Sequence, residues 1–233
     1  MQKLCLPAGI PAQELQRLDE IVGRRRPIER GARLFRPGDP LTSIYVARDG
    51  ALKTVTLGED GEEQILGFHL PGELVGLDAL GAGAHRCEAV ALTTANVCEV
   101  PFDQLVGVAA QLPSLQKQLM RVIGQSIERD HDHVGMLGRR QADERIALFL
   151  HGLRERFCNI GDFGTRFKLP MSREEIANFL GMAIETVSRG FTKLQEQGVI
   201  AVDGRSVEIV NLAQLTAIAH AVDDLAPPQR KRV

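Results

Sequence analysis

A chain of 233 residues has room for two small domains, and 44% hydrophobic with 25% charged residues is ordinary globular composition, with no apolar run approaching the length needed to span a bilayer. The first stretch, MQKLCLPAGIP, lacks the apolar core of a signal peptide, so the expected location is the cytosol; there the four cysteines, with no C-x-x-C pair, are expected as thiols rather than as a disulfide framework. A net charge of −2 neither points to nor excludes nucleic acid, because one basic helix can act within a near-neutral chain.

The first predicted element is a short amphipathic helix from about Ile10 to Arg25, with Leu15, Leu18, Ile21 and Val22 at helical spacing; Arg24-Arg25-Arg26 reads as its solvated end. From Ile28 to Phe102 short apolar or alternating runs follow: Arg33–Phe35, Ser43–Ala47, Ala51–Leu57, Glu63–Leu70, Glu88–Leu92 and Val97–Pro101. Glycine-bearing breaks separate them, and Asp60-Gly61 is a tight-hairpin signal, so this region predicts a β-sandwich or β-roll.

After Asp103 the pattern turns helical for about 35 residues. Met120, Ile123, Ile127, Asp130, Val134 and Leu137 recur at alternating spacings of 3 and 4, an a/d seam that suits a second copy of the same helix in a twofold dimer. Leu112, Leu115, Leu119 and Val122 form another stripe that would dock the helix onto the β-roll; burial of the whole helix in its own domain is the alternative. Asp130 either turns to solvent or faces its own copy, where like charges would weaken the dimer enough for a signal of a few kcal/mol to tip it. Gly138 ends the seam and is the expected hinge before a helix over Gln141–Phe157. His131 and His133, two apart on a helix, point in different directions and cannot chelate together; they are expected in solvent or close to the seam.

Residues 170–210 carry the sharpest signal. Ser172-Arg-Glu-Glu175 is a capping box, Gly181 permits a tight turn, and a second helix runs from about Ala183 to Gln197 before Gly198. With Ile176, Leu180, Val187 and Leu194 inside, this predicts a helix-turn-helix, and Val199–Val202, Asp203-Gly204 and Ser206–Val210 form its wing. Glu185, Ser188 and Arg189 share one helix face. Arg189 suits guanine, Glu185 a cytosine amino group, and Ser188 either; Thr186, Arg173, Lys193 and Arg205 are candidate phosphate contacts. The plainer alternative is an ordinary helix pair with a solvated Glu185–Arg189 ion pair. Neither a phosphate-cradling glycine loop nor Ser/His/Asp or metal-ligand spacing supports an enzyme.

With these residues in view the chain resembles the CRP/FNR superfamily and its FNR/Anr branch, most densely in GALKT (50–54), EEQILGFHLPGELVGLDALG (62–81), VCEVPF (97–102), ADERIALFL (142–150) and MSREEIANFLGMAIETVSR (171–189). The resemblance implies an α+β chain: a cyclic-nucleotide-binding-type β-roll (jelly roll) over 1–111, a dimerisation helix over 112–138, a winged helix-turn-helix over 139–225 and a disordered basic tail over 226–233. It implies an activator that binds a palindromic TTGAT-like inverted repeat as a homodimer through Glu185, Ser188 and Arg189, and recruits RNA polymerase through β-roll loops. It also places Ile127 and Asp130 where the family tunes its monomer–dimer switch.

The branch further implies oxygen sensing by a [4Fe–4S] cluster on four cysteines. Cys5, in LCLP, and Cys98, in VCEVPF, match two of these ligands; the other two would fall before Met1. Three explanations stand open: a start further upstream, a cluster-free relative of the FixK type, or Cys87 or Cys158 as a substitute ligand or redox thiol, although a small buried apolar residue is the preferred reading of those two. Gly72-Glu73-Leu74 and Arg86 also resemble a cyclic-nucleotide phosphate cassette, but Cys87 stands where Ser or Thr is usual.

Overall fold

The structure, a computed structural model, describes residues 12–24, 27–59, 61–139, 141–161 and 164–220, which fall into two compact units, Met1–His131 and Asp132–Val233. Cys5, Arg25, Arg26 and the expected basic tail lie outside the described residues.

The first unit opens with helix α1 (Ala12–Ile21). Eight strands follow: β1 (Gly23–Arg24), β2 (Arg33–Phe35), β3 (Ser43–Asp49), β4 (Leu52–Leu57), β5 (Glu63–His69), β6 (Leu74–Val75), β7 (Glu88–Ala91) and β8 (Asn96–Pro101). Antiparallel pairing sorts them into two four-stranded sheets, β1-β8-β3-β6 and β2-β7-β4-β5. Tyr45, Ala47, Val75 and Val97 of the first sheet meet Leu34, Phe35, Leu52 and Ala89 of the second in one buried cluster. On the other face of the first sheet, Ile44 and Val100 pair in register and are covered by Leu18 of α1 and by Leu105 and Ala109 of α2 (Phe102–Gln111). Both faces being dry, β3 is buried without interruption over Ser43–Ala47 instead of alternating.

The long helical region is two helices, α2 and α3 (Pro113–Arg139). Pro113 pushes Leu112 to an extended conformation (φ −127°, ψ 90°), which breaks the chain direction at a point where the apolar periodicity alone showed continuity. Three residues of the docking stripe behave as expected, Leu112 and Leu115 being buried with α1 and α2 and Leu119 packing beside them, whereas Val122 is half-buried outside that cluster. Helix α3 then runs through Gly138 to Arg139.

The second unit contains the last turns of α3 and then α4 (Ala142–Asn159), β9 (Arg166–Lys168), α5 (Arg173–Leu180), α6 (Ile184–Glu196), β10 (Ile200–Asp203), β11 (Ser206–Ile209) and α7 (Leu212–Ala219). The predicted inner residues Ile176, Leu180, Val187 and Leu194 are all fully buried, together with Ile146, Leu150 and Leu153 of α4. The wing is a three-stranded sheet, β10-β11-β9, one strand more than the sequence pattern revealed. Helix α6 lies so close to α4 that a Cβ on Gly190 would overlap Ile146 Cδ1. Among the described residues no helix is long and apolar enough to cross a membrane.

Candidate nucleic-acid interface

The interface is built on two capped helices. Ser172 Oγ accepts the Glu175 N–H at 3.1 Å while Glu175 Oε2 accepts the Ser172 N–H at 2.8 Å, so the predicted capping box closes reciprocally and starts α5. Gly181 ends it at φ 60°, a left-handed conformation that lets the chain turn at once into α6. Helix α6 is divided lengthwise: Val187, Gly190, Phe191 and Leu194 face the core, whereas Glu185, Ser188 and Arg189 are exposed together. Arg189 Nη2 leans toward Thr186 Oγ1 at 3.5 Å rather than pairing with Glu185, and both Glu185 and Arg189 are exposed. Ile184 is also exposed in the first turn, an apolar group that polar spacing gave no reason to single out.

The expected phosphate-contacting residues sit in different states. The Arg173 guanidinium lies 3.2 Å above the Phe191 ring, and its Nη1 is buried with no hydrogen-bond partner among the described residues. Burial draws its pKa down to about 10, so it stays protonated at neutral pH. Lys193 Nζ is bound to Asp143 Oδ2 at 2.6 Å, and this hydrogen bond holds the Asp143 carboxyl below its usual range despite partial burial. Arg205, at the wing turn, donates from Nη1 to the Pro170 carbonyl at 3.2 Å. Neither Phe191 nor Asp143 announces such a role in sequence, since both read as ordinary helix residues.

On α3, Met120, Ile127 and Val134 are exposed at 62%, 49% and 68%, seven residues apart in sequence; Ile123 and Leu137 are half-buried and Asp130 is exposed. His133, expected in solvent or close to the seam, is instead half-buried, stacked on Phe179 and bonded to its carbonyl.

Of the two cysteines that match cluster ligands, Cys98 is described and Cys5 lies outside the described residues. Cys98 is buried. Cys87 is buried, and burial, the Asp78 charge and its hydrogen bond to Asp78 push the thiol up to about 12, so it stays a protonated core residue. Asp78 is itself disfavoured by burial, but the Arg86 N–H, His85 and Cys87 all direct hydrogen bonds at it and hold the carboxyl below its usual range. Cys158 lies in the other unit, and among the described residues no group of three or more His, Cys, Asp or Glu could hold a metal ion. In the loop that resembles a nucleotide cassette, Glu73 Oε2 accepts the Leu70 N–H at 2.8 Å and Glu73 Oε1 lies 3.8 Å from Arg129 Nη1, while Arg86 is exposed.

A β-roll joined through a long helix to a winged helix-turn-helix with a polar recognition face is the plan of a DNA-binding transcription regulator. Residues 25–111 match the Cyclic nucleotide-binding domain family and residues 144–218 the Crp-like helix-turn-helix domain family. The Transcriptional activator protein Anr of Pseudomonas protegens is 49% identical over 93% of this chain and 88% of its own length. The Fumarate and nitrate reduction regulatory protein of Escherichia coli is 42% identical over 92% of this chain and 87% of its own. Among solved structures, FixK2 from Bradyrhizobium japonicum superposes with a TM-score of 0.77 at 29% identity, covering 85% of this chain and 97% of that one. The chain belongs to the Crp/Fnr family of transcription regulators.

Proposed function

We propose that this regulator binds a TTGAT-like inverted repeat as a homodimer, acts in the cytoplasm on genes expressed without oxygen or at low oxygen, and activates them by contacting RNA polymerase through β-roll loops. The observation that carries the reading is the shared exposure of Glu185, Ser188 and Arg189 on a helix whose opposite face is fixed in the core. In this reading Arg189 contacts guanine, Glu185 accepts a hydrogen bond from a cytosine amino group, Ser188 adapts to its neighbours, and Ile184 meets a thymine methyl. Thr186, Arg173, Lys193 and Arg205 bind flanking phosphates, which set register rather than sequence. Exposure of Met120, Ile127 and Val134 supports pairing through α3, with Ile123, Asp130 and Leu137 completing the seam. The names of the relatives, an activator and a regulator of fumarate and nitrate reduction, support the physiological setting and the activating role.

The signal has a second reading. A cluster held by Cys5, Cys98 and two further thiolates is the oxygen-sensing form of the family resemblance. A cluster-free regulator of the FixK type is the alternative, supported by Cys87 being a protonated core thiol and Cys158 lying in the other unit, so that neither serves as a substitute ligand. Anaerobic iron and sulfide analysis decides between them: about four irons per chain supports the cluster, and a colourless protein that still binds the repeat supports the cluster-free form.

Fluorescence anisotropy on the inverted repeat tests the DNA reading. Arg189→Ala is expected to lose about 1–3 kcal/mol at the cognate site while keeping most of its affinity for random DNA. Equal losses on both would remove Arg189 from base readout.

A further inference from the structure

The C-terminus of any α-helix leaves its last carbonyls without helical partners, and those groups carry the negative end of the helix dipole. At the end of α5, the Gly181 N–H takes the carbonyl of Asn178 and the Met182 N–H that of Ala177. The next two carbonyls are served from outside the helix-turn-helix. His133 Nε2 lies 2.7 Å from the Phe179 oxygen, and because a carbonyl only accepts, that nitrogen carries the proton. The His133 ring also stacks on the Phe179 ring at 3.8 Å and 9°, so both its edge and its face are committed to one residue.

Arg145, in the first turn of α4, donates from Nη1 to the Leu180 oxygen at 3.1 Å and from Nη2 to the Leu137 oxygen at 2.9 Å. One guanidinium thus joins the C-terminal ends of α3 and α5, where two negative dipole ends meet. Leu137 completes the junction: its Cδ2 lies 3.3 Å from where a Cβ on Gly181 would stand. All these residues belong to the second compact unit.

We propose that His133 and Arg145 are positioning residues that lock the last turns of the long helix to the turn preceding the recognition helix, so that α6 moves as one body with the end of α3. The lock reads no base and touches no phosphate. Its role is to convert the pairing of two long helices into a fixed separation of two recognition helices, which decides whether both half-sites are engaged together. This rests on the dimeric, two-half-site reading proposed above.

The test uses the full chain and three variants. His133→Phe keeps a stacking ring but has no donor; His133→Met fills the site without donor or ring; His133→Gln places an amide N–H at the reach of Nε2. The readout is the ratio of affinities for an inverted repeat and for a single half-site on DNA of equal length. Loss of one hydrogen bond is expected to lower that ratio about fivefold in His133→Phe and His133→Met, with half-site affinity and melting temperature near wild type, and His133→Gln is expected to restore it. A wild-type ratio in both donor-less variants, or a His133→Gln ratio as low as theirs, overturns the proposal. If the wild-type chain shows no preference for the repeat, the dimer reading fails instead. Amide exchange at Gly181 and Met182 then decides the lock: faster exchange in His133→Phe than in wild type and His133→Gln supports it, and equal exchange overturns it.

Discussion

The contact between α4 and α6 permits a sharp test of how the recognition helix is held. Gly190 has no room for a methyl unless Ile146 Cδ1, the end of a fully buried side chain, is displaced within the core. Gly190→Ala gains about 1 kcal/mol of helix propensity but forces an overlap that costs roughly 1–3 kcal/mol in a packed core. The single variant is therefore expected to be destabilised by about 1 kcal/mol. Ile146→Val removes the overlapping methyl and alone costs about 0.5–1.5 kcal/mol for the void. Together the changes move one methyl from α4 to α6 at constant volume, so the double variant is expected between wild-type stability and about 1 kcal/mol above it. The coupling is then about 2 kcal/mol, far above the additivity of independent sites. Urea unfolding followed by circular dichroism measures all four proteins. If the single-variant losses simply add within about 0.5 kcal/mol, the close approach at Gly190 does not set the helix spacing.

Three further outcomes are expected. Ser172→Ala removes the oxygen that accepts the Glu175 N–H and is expected to cost about 1 kcal/mol in the same urea assay, with no loss contradicting the cap. Asp130→Ala removes a carboxylate from the proposed seam and is expected to strengthen dimers in sedimentation; unchanged association would take Asp130 off the axis. The Asp143–Lys193 pair gives a pH signature. Because the folded Asp143 carboxyl lies below its ordinary value, its contribution is complete above about pH 4 and disappears as pH falls through the lower folded value. The stability gap between wild type and Lys193→Met is therefore expected to be small, reduced by salt, and to close on acidification; a gap that widens toward pH 2 would contradict this.

The fold was legible where physics is local. The capping box at Ser172, the left-handed glycine at Gly181 and the four inner residues of the helix pair follow from spacing and residue type, and all form as expected. The β-roll strands were visible because glycine-bearing turns separate them, whereas β1 and β6, two residues each, are too short to show alternation. Helix α7 escaped notice because its cap, Asn211 accepting the Gln214 N–H at 3.0 Å, was not recognised as a start signal. The exposed polar face of α6 was legible because polar residues recur at i, i+3 and i+4. The partners behind it were not: Phe191 under Arg173, Asp143 beside Lys193 and Phe179 against His133 are joined only by tertiary contact, and no period along the chain records them.

The Asp143–Lys193 pair has a kinetic side as well. A regulator seeking one address on a chromosome spends most of its time on wrong DNA, and every free cation lengthens each stop. A lysine already holding a carboxylate contributes less to such stops, because a phosphate must displace Asp143 before Lys193 can engage it. Under the proposed DNA reading, the lysine would become available at the correct site, where base contacts fix the helix long enough for that exchange. On that reading the carboxylate would act as a tethered counterion that shortens the search and leaves the final grip to the matching sequence.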